Sequence, residues 1–187
     1  MTMTIREMNE KAITELTEVI NNIDQVQVNQ LIDVLATAGK IVLYGVGREG
    51  LMMKALAMRL YHMGLDAHVA ADMTTPPVGK GDLLVVSAGP GYFSTVEALM
   101  ITAQKSGARV ACFTAQPEEA IPQQADLVVV LPAQTMAVDT TSPSSFLPMG
   151  SLYEGAQYLF YEYLVLLLSD YKGISPEDMR SRHTNLE

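Results

Sequence analysis

Ile41-Val42-Leu43-Tyr44-Gly45-Val46-Gly47-Arg48-Glu49-Gly50, running straight into Leu51-Met52-Met53-Lys54-Ala55-Leu56-Ala57-Met58-Arg59-Leu60, is the stretch whose reading decides the fold. The apolar run with two β-branched residues reads as a buried strand, Gly45 and Gly47 as a turn, and the Leu/Met/Ala-rich continuation as a helix. That order sets a helix N-terminus, with its unpaired N–H groups and partial positive charge, at the carboxyl edge of a parallel sheet, where anions and hydroxyls can be held. Gly45, Gly47, Arg48 and Glu49 are therefore candidate ligand-loop residues. The spacing departs from the dinucleotide fingerprint, which places its third glycine one position later. A turn needed only for tight strand-to-helix packing fits the same residues.

The device occurs a second time. Leu83-Leu84-Val85-Val86-Ser87 reads as a strand and Ala88-Gly89-Pro90-Gly91-Tyr92-Phe93 as a glycine-rich loop. Ser94-Thr95-Val96-Glu97 then has the spacing of a capping box opening a helix. Ahead of the first unit, the recurrence of Ile5, Met8, Ala12, Ile13, Leu16, Val19 and Ile20 predicts an amphipathic helix from Thr4 to about Ile23, and a second is expected over Val26 to Ala38. Between the units lie a short strand, Asp66 to Ala70, and a loop over Asp72 to Pro77 that its two prolines keep out of any ladder. Beyond them are strands at 108–113 and 125–131 with a short helix, Glu118 to Gln123, between. A long connection from Gln134 to Met149 leads to an apolar helix from Ser151 to about Asp170, a helix opened by Ser175-Pro176-Glu177-Asp178, and a polar tail. Alternating strands and helices imply an α/β fold: a doubly wound, three-layer sandwich around a five-stranded parallel sheet.

Composition narrows the function. With 187 residues, 49% hydrophobic and 18% charged, one domain with a full core is expected, its N-terminal helices at 1–39 and its C-terminal helix and tail at 171–187. A formal charge of -9 disfavours nucleic acid and anionic membranes as partners. The polar N-terminus from Met1 and the interrupted C-terminal apolar run suggest neither an export signal nor a membrane span, and the single Cys112 suits a reducing, cytoplasmic setting. Three scattered histidines and one cysteine suggest no metal site, and no cofactor is expected.

Several further stretches carry a family likeness: Ala57-Met58-Arg59-Leu60 after the first loop, Thr75-Pro76, Lys80-Gly81-Asp82-Leu83-Leu84, Met149-Gly150-Ser151-Leu152-Tyr153-Glu154, and Arg182-His183 before Asn185-Leu186-Glu187. With Gly45-Val46-Gly47-Arg48 they make the chain resemble sugar isomerase (SIS) domains, and among these the 6-phospho-3-hexuloisomerases. The resemblance implies a flavodoxin-like fold, a sugar or sugar phosphate as ligand, and a homo-oligomer, typically a tetramer. It also implies isomerisation of a phosphorylated 3-ketohexose to the 2-ketose through a cis-enediol. Glu154 would then be the general base, and His183 would open the ring or shuttle protons, from a neighbouring subunit in one reading. Taken alone, Ser151-x-x-Glu154 is a capping box, and a histidine in a polar tail is ordinary.

The chain departs from the family's pattern where a phosphate would bind. Glu49 stands where a serine is usual, and Ala88-Gly89-Pro90-Gly91-Tyr92-Phe93 replaces a Ser-Gly-Ser-Gly-x-Thr loop. Ser87, Ser94, Thr95, Thr75, the amides of Gly89 and Gly91, and Arg48 remain as candidate binding groups. Four readings stay open: an isomerase with a rebuilt phosphate pocket, a non-catalytic or regulatory domain binding a sugar derivative, a nucleotide-binding dehydrogenase, and an enzyme for a less anionic substrate. In the last, Tyr92 and Phe93 would form a wall and Glu49 would accept hydroxyls.

Overall fold

In the computed structural model, which describes residues 3–141 and 144–186, β1 (Lys40–Tyr44) is a central strand of the sheet. Ile41 and Leu43 point into one core and Val42 into the other, as the two-residue period of a doubly covered strand requires. Around it run β2 (Asp66–Val69), β3 (Leu83–Ser87), β4 (Arg109–Thr114) and β5 (Leu127–Val130). These five described strands are all parallel, in the order β2-β1-β3-β4-β5, with Ile41 beside Ala67 on one side and Leu83 on the other.

Helices cover both faces. On one lie α2 (Gln25–Thr37), α3 (Gly47–His62) and the long α5 (Ser151–Lys172), with α1 (Ile5–Asn21) packed outside α5. Their Leu35, Met53, Leu56, Leu60, Phe160 and Leu164 interleave with Ile41, Leu43, Val85 and Phe113. On the other face α4 (Ser94–Lys105) sets Val96, Met100 and Ala103 against Val42, Leu84, Val86 and Cys112. Cys112 is buried, and burial pushes its thiol well up, as suits a core residue. No helix among the described residues is long and apolar enough to cross a membrane.

The chain leaves β1 for one face and β3 for the other, so a crevice opens between the β1–α3 and β3–α4 loops, where open parallel sheets hold ligands. A third wall comes from residues 134–149. Gln134 Oε1 accepts the Ser144 and Ser145 N–H groups at 2.6 and 3.0 Å, and Glu15 of α1 accepts the Ser145 hydroxyl at 2.6 Å. These bonds fasten the connection to the body of the fold. Ser142 and Pro143, expected within it, lie outside the described residues, as do Met1, Thr2 and Glu187.

Three local expectations are corrected. The segment 118–123 forms turns and only a 3₁₀ turn, Pro122–Gln124, because Pro122 has no N–H to continue an α-helical ladder. At α4 the N-cap is Phe93, not Ser94, and Glu97 accepts the Tyr92 hydroxyl at 3.1 Å, so no capping box closes. At α5 the N-cap is Gly150, and the Ser151–Glu154 box is likewise absent because both side chains are engaged by Arg48. The boxes that do form are at Thr4 with Glu7 and at Ser175 with Asp178, which opens α6 (Pro176–Ser181).

Candidate active site

The crevice at the carboxyl edge of the sheet is a cavity of about 390 Å³. Val46, Gly47, Arg48 and Glu49 line one side, Pro90 and Phe93 another, Thr135, Met136 and Ala137 a third, and Met149, Gly150, Tyr153 and Glu154 the last. Three helices begin here, at Val46, Phe93 and Gly150, and among the described residues none has a side-chain cap, whereas α1, α2 and α6 are capped by Thr4, Asp24 and Ser175. The uncapped N-termini leave backbone donors and the positive ends of three dipoles at one hollow. Met149, just before α5, holds φ 56 without being glycine, the one such residue described. Strain of that kind, of order 1–3 kcal/mol, gathers at functional sites.

Glu154 stands in the first turn of α5 with its side chain only 14% exposed. Its Oε2 is buried 3.0 Å from Arg48 Nε, and Arg48 Nη1 donates to Ser151 Oγ at 3.1 Å. Burial raises the Glu154 carboxyl above the ordinary glutamate value, and Arg48 opposes that rise. A carboxylate so raised, at the wall of a part-apolar cavity, is a suitable base for a carbon-bound proton.

Glu49, in the first turn of α3, turns inward and is 8% exposed. Its Oε2 accepts the Ser87 hydroxyl at 2.5 Å and the Gly89 N–H at 2.9 Å. Behind it Gln157 donates to Ser87 Oγ at 2.7 Å and to Tyr161 Oη at 2.9 Å, and Tyr161 donates to Met53 Sδ. Burial raises the Glu49 carboxyl, against the two hydrogen bonds that lower it, with Glu154 adding to the rise. In the folded chain Glu49 therefore keeps its proton above the ordinary value of 4.5. Its contribution to stability is complete below that value and is lost as pH rises through the raised one. Glu49→Gln removes the contribution and leaves that of Glu154. The melting temperature of the wild type is expected to fall relative to Glu49→Gln as pH rises from 4.5 in parallel thermal melts. Curves that stay parallel would show that Glu49 does not titrate there.

The other expected site residues are distributed unevenly. Gly45 lies beneath the first loop, Gly47 and Arg48 line the cavity, and Ser87 and the Gly89 amide face it only through Glu49, which takes both as donors. Gly91 turns at φ +89 beside Glu119, away from the lining. Ser94 and Thr95 are exposed on α4, and among the described residues neither lines the cavity. Thr75 donates to the Val69 and Asp72 carbonyls and borders a different hollow with Lys54, His68 and Asp72. His183 stacks beside His62, ring centroids 5.2 Å apart, at the far end of α3. Arg48 and His62 are separated along α3 by about 20 Å at 1.5 Å per residue, so one chain does not bring His183 to Glu154.

Thr135 was not among the expected residues. It is 2% exposed, lines the cavity, and its hydroxyl has no partner among the described residues. Gln157 and Tyr153, wholly buried behind the first loop, were missed as well. The available signal was position: Gln134-Thr135 follows β5 at the same carboxyl edge as both glycine loops.

Comparison with known proteins agrees with this architecture. A family model described as the SIS domain matches residues 34–156. The chain is 38% identical over 173 residues to a 3-hexulose-6-phosphate isomerase of Mycobacterium gastri, covering 92% of this chain and 86% of that one. It is 37% identical over 161 residues to the protein of that name in Bacillus subtilis (strain 168), covering 86% and 87%. The crystal structure of a hypothetical protein from Methanococcus jannaschii superposes with a TM-score of 0.84 at 24% identity, over 97% of this chain and 99% of the other, and carries the fold alone. With the matched model spanning both glycine loops and the start of α5, the chain belongs to the SIS domain family.

Proposed function

We propose that this chain is a sugar isomerase of the 3-hexulose-6-phosphate isomerase type, moving a carbonyl between adjacent carbons of a ketohexose through an enediol. The observation that carries the reading is Glu154: a part-buried carboxylate, raised by burial, set beside Arg48 at the hollow where three uncapped helices begin. Names borne by relatives over most of the chain's length support it. Glu154 takes the proton from C2 of a 3-ketohexose, and the electron pair moves to form the C2–C3 enediolate. Arg48 and the open N–H groups meet the charge as it grows on oxygen. The C2 hydroxyl proton then passes to the C3 oxygen, the C2–O bond closes to a carbonyl, and the carboxyl of Glu154 delivers a proton to C3, giving the 2-ketose. Incubation with a 3-ketohexose and with its 6-phosphate, followed by ¹³C NMR, tests this: growth of the C2 carbonyl signal from either supports it, and none from both refutes it.

His183 enters from a neighbouring subunit in this reading. Apolar side chains left exposed on α1 (Ile5, Ile13) and on α5 (Tyr158, Leu166, Leu167, Tyr171) offer surfaces for such contacts. Light scattering at micromolar concentration is expected to give a multiple of 20.3 kDa, with a tetramer as the reading's first choice. A monomer would remove His183 from the mechanism.

A further inference from the structure

The cavity's two ends differ in what their donors already hold. At one end Glu154 lies against Arg48 and faces open space. At the other, the Gly89 N–H and the Ser87 hydroxyl, which would serve an incoming anion, are both taken by Glu49 Oε2. The fit there is close: a Cβ added at Gly89 would come within 2.9 Å of Glu49 Oε1 and 2.7 Å of Tyr153 Cε1. No anion fits between that carboxylate and the loop backbone. The side chains that remain for a ligand here accept hydrogen bonds, beside the open N–H groups of the α3 and α4 N-termini. Glu49 Oε1 borders the cavity with no bond accepted among the described residues, and Thr135 Oγ1, on a side chain 98% buried, is unpartnered too. Pro90, which has no N–H, and Phe93 complete this wall, and Arg48 is the one cation among the lining residues.

We infer that the ketose seated here presents an unphosphorylated, hydroxyl-bearing end to the α3 and α4 N-termini. Glu49 fills from within the chain the place a substrate anion would take, and Glu49 Oε1 and Thr135 Oγ1 receive the sugar's hydroxyls. The inference rests on the isomerase reading for the sugar's orientation, while the emptiness or occupancy of the anion place is a property of Glu49 alone. An added dianion would meet occupied donors and a carboxylate neighbour in a part-desolvated site, where like charges are strongly disfavoured. A neutral hydroxyl meets an acceptor with a free lone pair.

The test compares kcat/KM for a 3-ketohexose and its 6-phosphate in wild type and Glu49→Ser, with Glu49→Gln as a variant that keeps the side chain's shape. Wild type is expected to prefer the unphosphorylated ketose at least tenfold. Glu49→Ser is expected to shift the ratio at least tenfold toward the phosphate, and Glu49→Gln in the same direction by less. Preference for the phosphate in wild type, unmoved by either substitution, would overturn the inference and leave the isomerase reading standing, since turnover would have been seen. If neither ketose is turned over, the isomerase reading fails, and calorimetric titration with a hexitol and its 6-phosphate, which have no carbonyl to isomerise, decides the inference. Binding of the hexitol alone, reversed by Glu49→Ser, upholds it. Binding of the phosphate alone, or of neither, overturns it.

Discussion

Glu154→Gln is expected to lower kcat for ketose isomerisation by about 10²–10⁴-fold, the range a positioned general base supplies, with little change in KM. The amide keeps the volume and the place beside Arg48 Nε, now 3.0 Å from Oε2, but it takes no proton from carbon. Stability should change little, because Glu154 is not the cap of α5: the N-cap is Gly150, and the carboxylate's partner is an exposed guanidinium. A variant that kept full activity and lost about 1 kcal/mol of stability, the usual effect of a removed cap, would make Glu154 structural. For the wild type the same chemistry fixes a pH dependence. Glu154 works ionised, and burial raises its carboxyl, so kcat should fall as pH drops through a value above the 4.5 of an ordinary glutamate.

Gly50→Ala is expected to be the most damaging small substitution in the first loop. A Cβ there would stand 2.5 Å from the Gly45 carbonyl oxygen and 3.1 Å from its carbon, and that oxygen is backbone at the end of β1 with no rotamer to yield. Relief requires α3 to shift away from β1, and forced overpacking of this kind costs about 1–3 kcal/mol. Arg48 and Glu49 move with the helix start, and misplacement of reacting groups by ~1 Å can cost on the order of 10²-fold in rate. Gly47→Ala gives the contrast. Its φ is +59 with nothing within 4 Å, so only the left-handed conformation of about 1–2 kcal/mol is at issue. Urea unfolding and turnover of the two variants separate collision from strain: a Gly50→Ala turnover no lower than that of Gly47→Ala would mean that the close approach of Gly45 and Gly50 does not hold the loop.

The same contact explains why the opening stretch was so legible. Ile41 to Leu43 could only be a strand buried on both faces, and glycines at 45 and 50 are what a tight turn from strand into helix requires. Most of the parallel strands followed from short apolar runs closed by turns, β1, β3, β4 and β5 among them, whereas β2 carries Asp66 and His68. Capping was less legible, because Ser94 and Ser151 have the right spacing to glutamates that tertiary partners claim, Tyr92 in one case and Arg48 in the other. The candidate site was legible at its ends and not in its middle. That Glu49 replaces a hydroxyl was plain in the sequence, but that it turns inward onto Ser87 and Gly89 depends on the space left by Tyr153 and Gln157, a hundred residues away. Thr135 carried no motif, and only its burial without a partner marks it.

The central claim is proton transfer by Glu154 through an enediol, and solvent isotope incorporation tests it most directly. The 3-ketohexose and its 6-phosphate would be incubated in D₂O with wild type and with Glu154→Gln, and deuterium at C2 and C3 read by NMR during approach to equilibrium. The account predicts deuterium at those carbons in the wild-type reaction, at a rate tied to isomerisation, and at most a hundredth of that rate in Glu154→Gln. Interconversion, or deuterium uptake, undiminished in Glu154→Gln would contradict it.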